Sequence, residues 1–258
     1  MTTMTAECRK LWLWPGRATF LGPQLRWGRH STPVGCLAIG VDDAFTVHTP
    51  EGSWRRRSAL IPARVPHRID AGAGRVLFHY LDPGWARAAE VRMTETLGTI
   101  AATHLAEQAM LAQVHDPGEL GRLALGDTAN GSIDARIRRA MDALLAAPER
   151  EHDAASCAAA AGLSRSRFLH LFSENAGTSF RRFRVWARLL RVGTAIESGA
   201  NLTTAATDAG FASASHFSDT FRRMFGLSAT ALLTNDTQII TVPDHRSREV
   251  RQDGGGEG

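Results

Sequence analysis

Two segments in the C-terminal half repeat one another at fixed spacing, and this repeat restricts the possible folds more than any other feature. The first copy runs Ala158, Gly162, Leu163, Ser164, Phe168, Phe172, Gly177 and Ser179. The second runs Ala206, Gly210, Phe211, Phe217, Phe221, Gly226 and Ser228. From Phe168 or Phe217 onward the steps agree: four residues to the next phenylalanine, five to a glycine, two to a serine. The second copy carries one extra residue between Gly210 and Phe217. Each copy holds the parts of two helices joined by a tight turn. A small residue lets the helices approach, and a glycine tolerates the left-handed backbone that ends the first of them. Ser164, or Ala212-Ser213 in the second copy, caps the helix that follows. Phenylalanines four apart anchor one face of that helix. Its opposite face presents Arg165, Ser166, Arg167, Leu169 and His170 in one copy, and Ala214, Ser215, His216, Ser218 and Asp219 in the other. A helix of this kind fits the major groove of duplex DNA.

The segment between the copies supports that geometry. Thr178 to Ser198 reads as one helix of 21 residues. At about 1.5 Å per residue such a rod spans roughly 30 Å, close to the ~34 Å between successive major grooves on one face of DNA. It carries an arginine stripe (Arg181, Arg184, Arg188, Arg191) beside an apolar one (Phe180, Phe183, Ala187, Leu190). The plain alternative is a helical bundle with a solvated arginine face. Two matched copies and a spacer of suitable length argue against it.

The bulk numbers are compatible with both readings. At 258 residues the chain has room for two domains, and 43% hydrophobic with 22% charged residues is the composition of a folded protein. The formal charge is only +4, so this is no polycation. Lys10 is the one lysine, so the basic character is arginine, which forks onto phosphates and guanine edges; a GC-rich genome gives the same bias. Cys8, Cys36 and Cys157 are scattered and odd in number, which points to a reducing compartment. The apolar stretch after Arg9 and Lys10 is broken by Pro15 and Gly16, and no run is long enough for a membrane helix. A cytoplasmic location without membrane contact is expected.

The N-terminal half has another texture. Short apolar runs at 36–39, 45–47, 59–61 and 76–78 alternate with turn signals such as Asp42-Asp43, Pro50-Glu51-Gly52 and Ala71-Gly72-Ala73-Gly74. Residues 19–82 therefore read as a small barrel or sandwich. Leu97, Ile100, Ala101, His104 and Leu105 follow helical spacing, with Gly98 as a break. The expected organisation is a β-rich domain over 1–118, a linker over 119–132, a helical domain over 133–235 and a disordered charged, glycine-rich tail over 243–258.

With these residues in place the C-terminal stretch from Ile133 to Leu233 resembles the DNA-binding domain of AraC/XylS transcription regulators. Its most specific piece runs from Gly210-Phe211 through Phe217-Ser218-Asp219-Thr220-Phe221-Arg222-Arg223 to Met224-Phe225-Gly226. Arg188-Leu189 also matches, though Val192 replaces the usual alanine. Asp219 stands where the family commonly has arginine, Ala229 where it has proline, and Leu232-Leu233 where tyrosine-arginine is usual. The resemblance implies a double helix-turn-helix reading adjacent major grooves. It implies base contacts from Arg165, Ser166, Leu169, His170, Ala214, Ser215 and Ser218, with His216 on the same face. Arg167, Arg222 and Arg223 are then phosphate contacts.

The N-terminal half resembles the cupin-like barrel that precedes this domain in many members. The resemblance rests on Gly28 to Pro33, Leu37 to Gly40 and Ala59 to His67. It implies an α+β multidomain protein, with a small-molecule effector in the barrel and pairing helices at 85–114. It further implies a homodimer, activation by family habit, and RNA polymerase as a further partner. His30, Trp54, His67 and His79 are the expected effector-pocket residues. Four histidines (His30, His48, His67, His79) lack the paired spacing of a cupin metal site, so neither metal nor cofactor is expected. Arg55-Arg56-Arg57 could face an anionic effector, but strand alternation favours a solvated face for Arg55 and Arg57. No nucleotide-binding, hydrolase or metalloprotease motif is present, so no enzyme is expected. The rival reading, a cupin-type enzyme with a helical appendage, requires a catalytic constellation in the first 120 residues. A third reading is a regulator whose β-domain only dimerises or binds a protein.

Overall fold

The computed structural model describes residues 9–23, 25, 27–126, 133–150, 152–233 and 237–243. Its N-terminal half contains strands β1 (Arg9–Trp14), β2 (Arg17–Pro23), β3 (Gly35–Gly40), β4 (Phe45–Thr49), β5 (Gly52–Arg56), β6 (Ser58–Ile61), β7 (Arg68–Asp70) and β8 (Arg75–Leu81). Helix α1 (Pro83–Glu90), strands β9 (Met93–Leu97) and β10 (Ile100–His104), and helices α2 (Glu107–Ala112) and α3 (Pro117–Leu125) follow. The C-terminal half is helical: α4 (Ala135–Ala146), α5 (Ala154–Ala160), α6 (Arg165–Ala176), α7 (Phe180–Glu197), α8 (Leu202–Asp208), α9 (Ala214–Phe225) and α10 (Ala229–Leu233). The chain then returns as a last strand, β11 (Thr237–Thr241).

Eight strands form one sheet in the order β11-β1-β2-β8-β3-β6-β10-β9, and three form a second, β5-β4-β7. All pairings are antiparallel except β1 with β11. Both faces of the large sheet are covered, as the alternation in β1 shows. Leu11 and Leu13 enter the core shared with the small sheet and the helical half, whereas Trp12 and Trp14 enter a second core under α1, α2 and α3. Strands buried on both faces read as continuous apolar runs, which is the pattern of Gly35–Gly40.

Two expectations need correction. The segment with helical spacing, Leu97 to Leu105, is the β9–β10 hairpin, turning at Gly98-Thr99 with Gly98 at φ +62°. Ile100, Ala102 and His104 are buried while Ala101 and Thr103 are less so, the period of a half-buried strand. Thr94, Thr96 and Thr103 favour that outcome, since β-branching fits a pleated surface. Of the expected pairing helices at 85–114, then, only α1 and α2 are helical, and their inner faces lie on the sheet. The first half of the segment expected as a linker belongs to α3, capped by the Asp116 carboxylate on the Gly118 and Glu119 amides and pinned by buried Leu120, Ala124 and Leu125. Residues 127–132 of that segment, and 244–258 of the expected tail, lie outside the described residues.

Candidate nucleic-acid interface

The two repeats fold as two copies of one device. In the first, α5 starts on an Asp153 cap and the chain turns at Gly162, at φ +66°. The Ser164 hydroxyl then accepts from the Arg167 amide at 3.3 Å to start α6. In the second, Asn201 caps α8, Gly210 turns at φ +86°, and the Ser213 hydroxyl accepts from the His216 amide at 3.0 Å to start α9. Phe168 and Phe172 on α6, and Phe217 and Phe221 on α9, are buried. Gly177 and Gly226 end the helices in the left-handed region.

Burial fixes which faces remain outward. On α6, Arg165, Ser166, Arg167 and His170 are exposed and Leu169 is half-buried. His170 Nε2 lies 3.1 Å from the Glu174 carboxylate. On α9, Ser215, His216, Asp219, Arg222 and Arg223 are exposed, while Ala214 and Ser218 are half-buried. Several side chains there are engaged locally. Ser218 Oγ donates to the Ala214 carbonyl at 2.9 Å, Arg223 Nη2 donates to Thr220 Oγ1 at 3.1 Å, and His216 Nδ1 accepts from the Ala212 amide at 3.4 Å.

Between the copies runs α7, 18 residues, with Ser179 as its cap. It is shorter than expected at each end and spans about 27 Å at ~1.5 Å per residue. Its arginine stripe is not uniformly solvated. Arg181 and Arg191 are exposed, but Arg188 turns inward, its Nε donating to the Pro148 carbonyl at 3.1 Å and its guanidinium lying under the Gly210 turn. Arg188 therefore braces α7 against the α4–α5 connection and the second turn.

The expected effector residues do not converge. His30 and His67 meet through an isolated β-bridge, ring centroids 4.4 Å apart. His30 Nδ1 lies 2.9 Å from the Gly28 carbonyl, and His67 Nδ1 lies 2.8 Å from that of Val65. Burial, then the neighbouring His30, pushes the His67 pKa down to about 4. His79 points to the other face of the large sheet, between Trp14 and Trp85 and 2.5 Å from the Thr19 hydroxyl; burial, then Arg17, pushes its pKa down to about 3. Trp54 stands on the small sheet, and Arg55 and Arg56 there pair with Asp43 and Glu95. Among the described residues no three His, Cys, Asp or Glu side chains are grouped to hold a metal.

An apolar cavity lies elsewhere, between the large sheet and the helical half. Leu13, Phe20 and Phe78 form one wall, and Trp186, Phe221 and Phe225 the other. As the chain stands it holds about 50 Å³, room for a few water molecules. Alternation in β1 and β8 could have pointed to one wall. Trp186 was the unused signal for the other, a large aromatic on a helix that groove spacing does not explain.

The same boundary is stitched by polar contacts. Arg138 on α4 makes two hydrogen bonds to Asp82, the cap of α1, at 2.7 and 3.0 Å. Trp186 Nε1 donates to the Gly16 carbonyl at 3.1 Å, Arg182 donates to the carbonyls of Ser31 and Thr32, and the Gly28 amide donates to the Gly226 carbonyl at 2.8 Å. Gly226 is thus both the end of α9 and a docking point: a Cβ there would meet Gly28 O at 2.4 Å.

Comparison with known proteins agrees with this geometry. Residues 157–235 match the family model described as a helix-turn-helix domain. No curated protein matches the sequence. Among solved structures the chain is similar to ToxT from Vibrio cholerae O395, at 12% identity and TM-score 0.57 over 84% of this chain and 97% of ToxT. It is similar also to ToxT from V. cholerae strain SCE256 bound to an unsaturated fatty acid, at 11% identity and TM-score 0.57 over 84% of this chain and 94% of that one. At such identity these likenesses establish the fold: a β-rich domain followed by a helical helix-turn-helix domain.

Proposed function

We infer, from an AraC-type helix-turn-helix domain over residues 157–235, that this DNA-binding regulator reads a bipartite duplex site with both α6 and α9. One observation carries the reading: both helices are capped, anchored by paired phenylalanines and terminated in the same way, each with its polar face outward. In this reading Arg165, Ser166, Leu169 and His170 read bases in one groove, and Ala214, Ser215, His216 and Ser218 read them in the next. Arg167, Arg222 and Arg223 hold phosphates and fix the register. Family resemblance alone supports a homodimer, activation of transcription and contact with RNA polymerase.

The β-domain is the sensor in this reading. ToxT has been solved with an unsaturated fatty acid bound, and the cavity here is walled by aromatic and aliphatic side chains. The proposed effector is therefore an apolar or amphiphilic small molecule entering between the two halves. His30, His67 and His79 do not line this cavity.

Selection of sites from randomised duplexes, followed by footprinting, tests the proposal. A bipartite site with halves about one helical turn apart is expected. Arg165→Ala and Ser215→Ala then relax different halves, each by about 1–3 kcal/mol of discrimination. Enrichment of one half alone would reduce α9 to a backbone clamp. Failure to enrich any sequence would overturn the reading.

A further inference from the structure

The C-terminal strand β11 belongs by sequence to the DNA-binding half and by pairing to the sensor. It adds to the free edge of β1 in parallel register, from Arg9 opposite Thr237 to Leu13 opposite Thr241, and the Val242 amide donates to the Leu13 carbonyl at 2.8 Å. On its other side the Thr241 amide donates to the Glu197 carboxylate of α7 at 3.3 Å. Ile239 packs in the core that holds the cavity and Ile240 in the core under α1, α2 and α3. One short strand therefore touches both halves and both cores.

Three features mark this strand as releasable. An edge strand can leave without unravelling the sheet, because β1 keeps its full pairing with β2. Beyond buried Thr237 the side chains of β11 are shallowly held: Gln238 is exposed, and Ile239, Ile240 and Thr241 are only half-buried. The hydroxyls of Thr237 and Thr241 are buried without a hydrogen-bond partner, a cost that hydration on release removes. What lies just upstream gives the release a trigger. Leu232 and Leu233 line the apolar cavity, at the positions where the family usually has tyrosine-arginine. Only residues 234–236 separate them from β11.

We propose that β11 is a clasp. Seated on β1, it pins the second helix-turn-helix against the β-domain; a molecule filling the cavity displaces Leu232 and Leu233 and lifts it, freeing α9 to reach its half-site. The proposal rests on the DNA-binding reading above. The same edge contact seals β1, which would otherwise present unpaired backbone groups to other chains.

Two measurements test it, the first on the folded full-length chain. The first needs no DNA: amide hydrogen exchange should show β11 opening in a step separate from, and faster than, β1–β2. If β11 exchanged only with the rest of the sheet, there would be no clasp. The second uses the selected duplex. In a C8S/C157A background, K10C/Q238C joins facing residues of β1 and β11. Its oxidised form should bind about 10-fold more weakly than its reduced form, and a chain ending at Leu233 about 10-fold more tightly than the full chain, as expected when a tenfold bias toward a closed state is imposed or removed. Equal affinities for all three forms would overturn the clasp. If no form bound any duplex while β11 still opened independently, the DNA reading would fail and the movable strand would stand.

Discussion

His67 resists a second proton, because the ring is 2% exposed and lies beside a second imidazole. Its pKa is pushed down to about 4 in the folded chain, against an ordinary value of 6.5. Above pH 6.5 the ring is neutral whether folded or unfolded and pH does not affect stability through it. Below that value the unfolded chain gains a proton that the folded chain refuses, so stability falls until the pH reaches about 4. For one such group the loss is about 1.4 kcal/mol per pH unit, and His79 acts in the same direction. Thermal melting between pH 7.5 and 5 should therefore show a falling midpoint, and His67→Asn, which keeps a donor for the Val65 carbonyl, a flatter curve. Parallel curves for the two proteins would show that His67 already titrates in the folded state. At this scale the sequence revealed residue types and not pairings. His30 and His67 were visible as separate polar points on a β-domain; only the fold sets them ring to ring. Gly226 was legible as a helix stop, but not as the point where the β-domain docks.

The elements were legible where local chemistry and burial agree. Helices α6 and α9 combine a serine cap, paired phenylalanines and a terminal glycine, so three independent signals mark each boundary. The hairpin β9–β10 misleads because Leu97, Ile100, Ala101 and His104 satisfy helical spacing while Ile100, Ala102 and His104 satisfy alternation, and only its place beside β6 decides. Helix α3 misleads through its glycines, which suggest a linker, although Asp116 and Pro117 are start signals. Strand β11 carries only a short β-branched run, Thr237, Ile239, Ile240 and Thr241; its place in the sheet is set by the edge that β1 offers. The outward face of α9 supports one sharper expectation. Asp219 is exposed between Ser215 and the Arg222-Arg223 pair, where it faces a phosphate backbone if α9 enters the groove. Asp219→Arg should tighten DNA binding and steepen the dependence of log K on log salt by about one unit, since one more phosphate is neutralised. Filter binding at several salt concentrations reads both. Unchanged affinity and slope would mean that α9 does not dock in this orientation.

At the scale of the molecule, the boundary between the halves is built like an interior. Leu13 packs against Gly193, where a Cβ would approach to 2.6 Å, and Tyr80 meets both Trp186 and Phe225. The core under α1, α2 and α3 belongs to the β-domain alone, but the larger core runs without a break from the sheet into the helical half, so the halves should unfold together. Calorimetry of the full chain should show one transition, its calorimetric and van't Hoff enthalpies equal. The Asp82–Arg138 pair gives this a handle, because Asp82 also caps α1. In Arg138→Met, Asp82 keeps the Gly84 amide but loses two charged hydrogen bonds across the boundary. A loss of about 1–3 kcal/mol is expected, toward the low end because both side chains retain some solvent contact. It should lower the single transition without dividing it, since the apolar contacts persist. Two transitions in the parent chain would instead mean that the halves are autonomous bodies, and cavity filling could then reach α9 only through the connecting chain and not through a shared core.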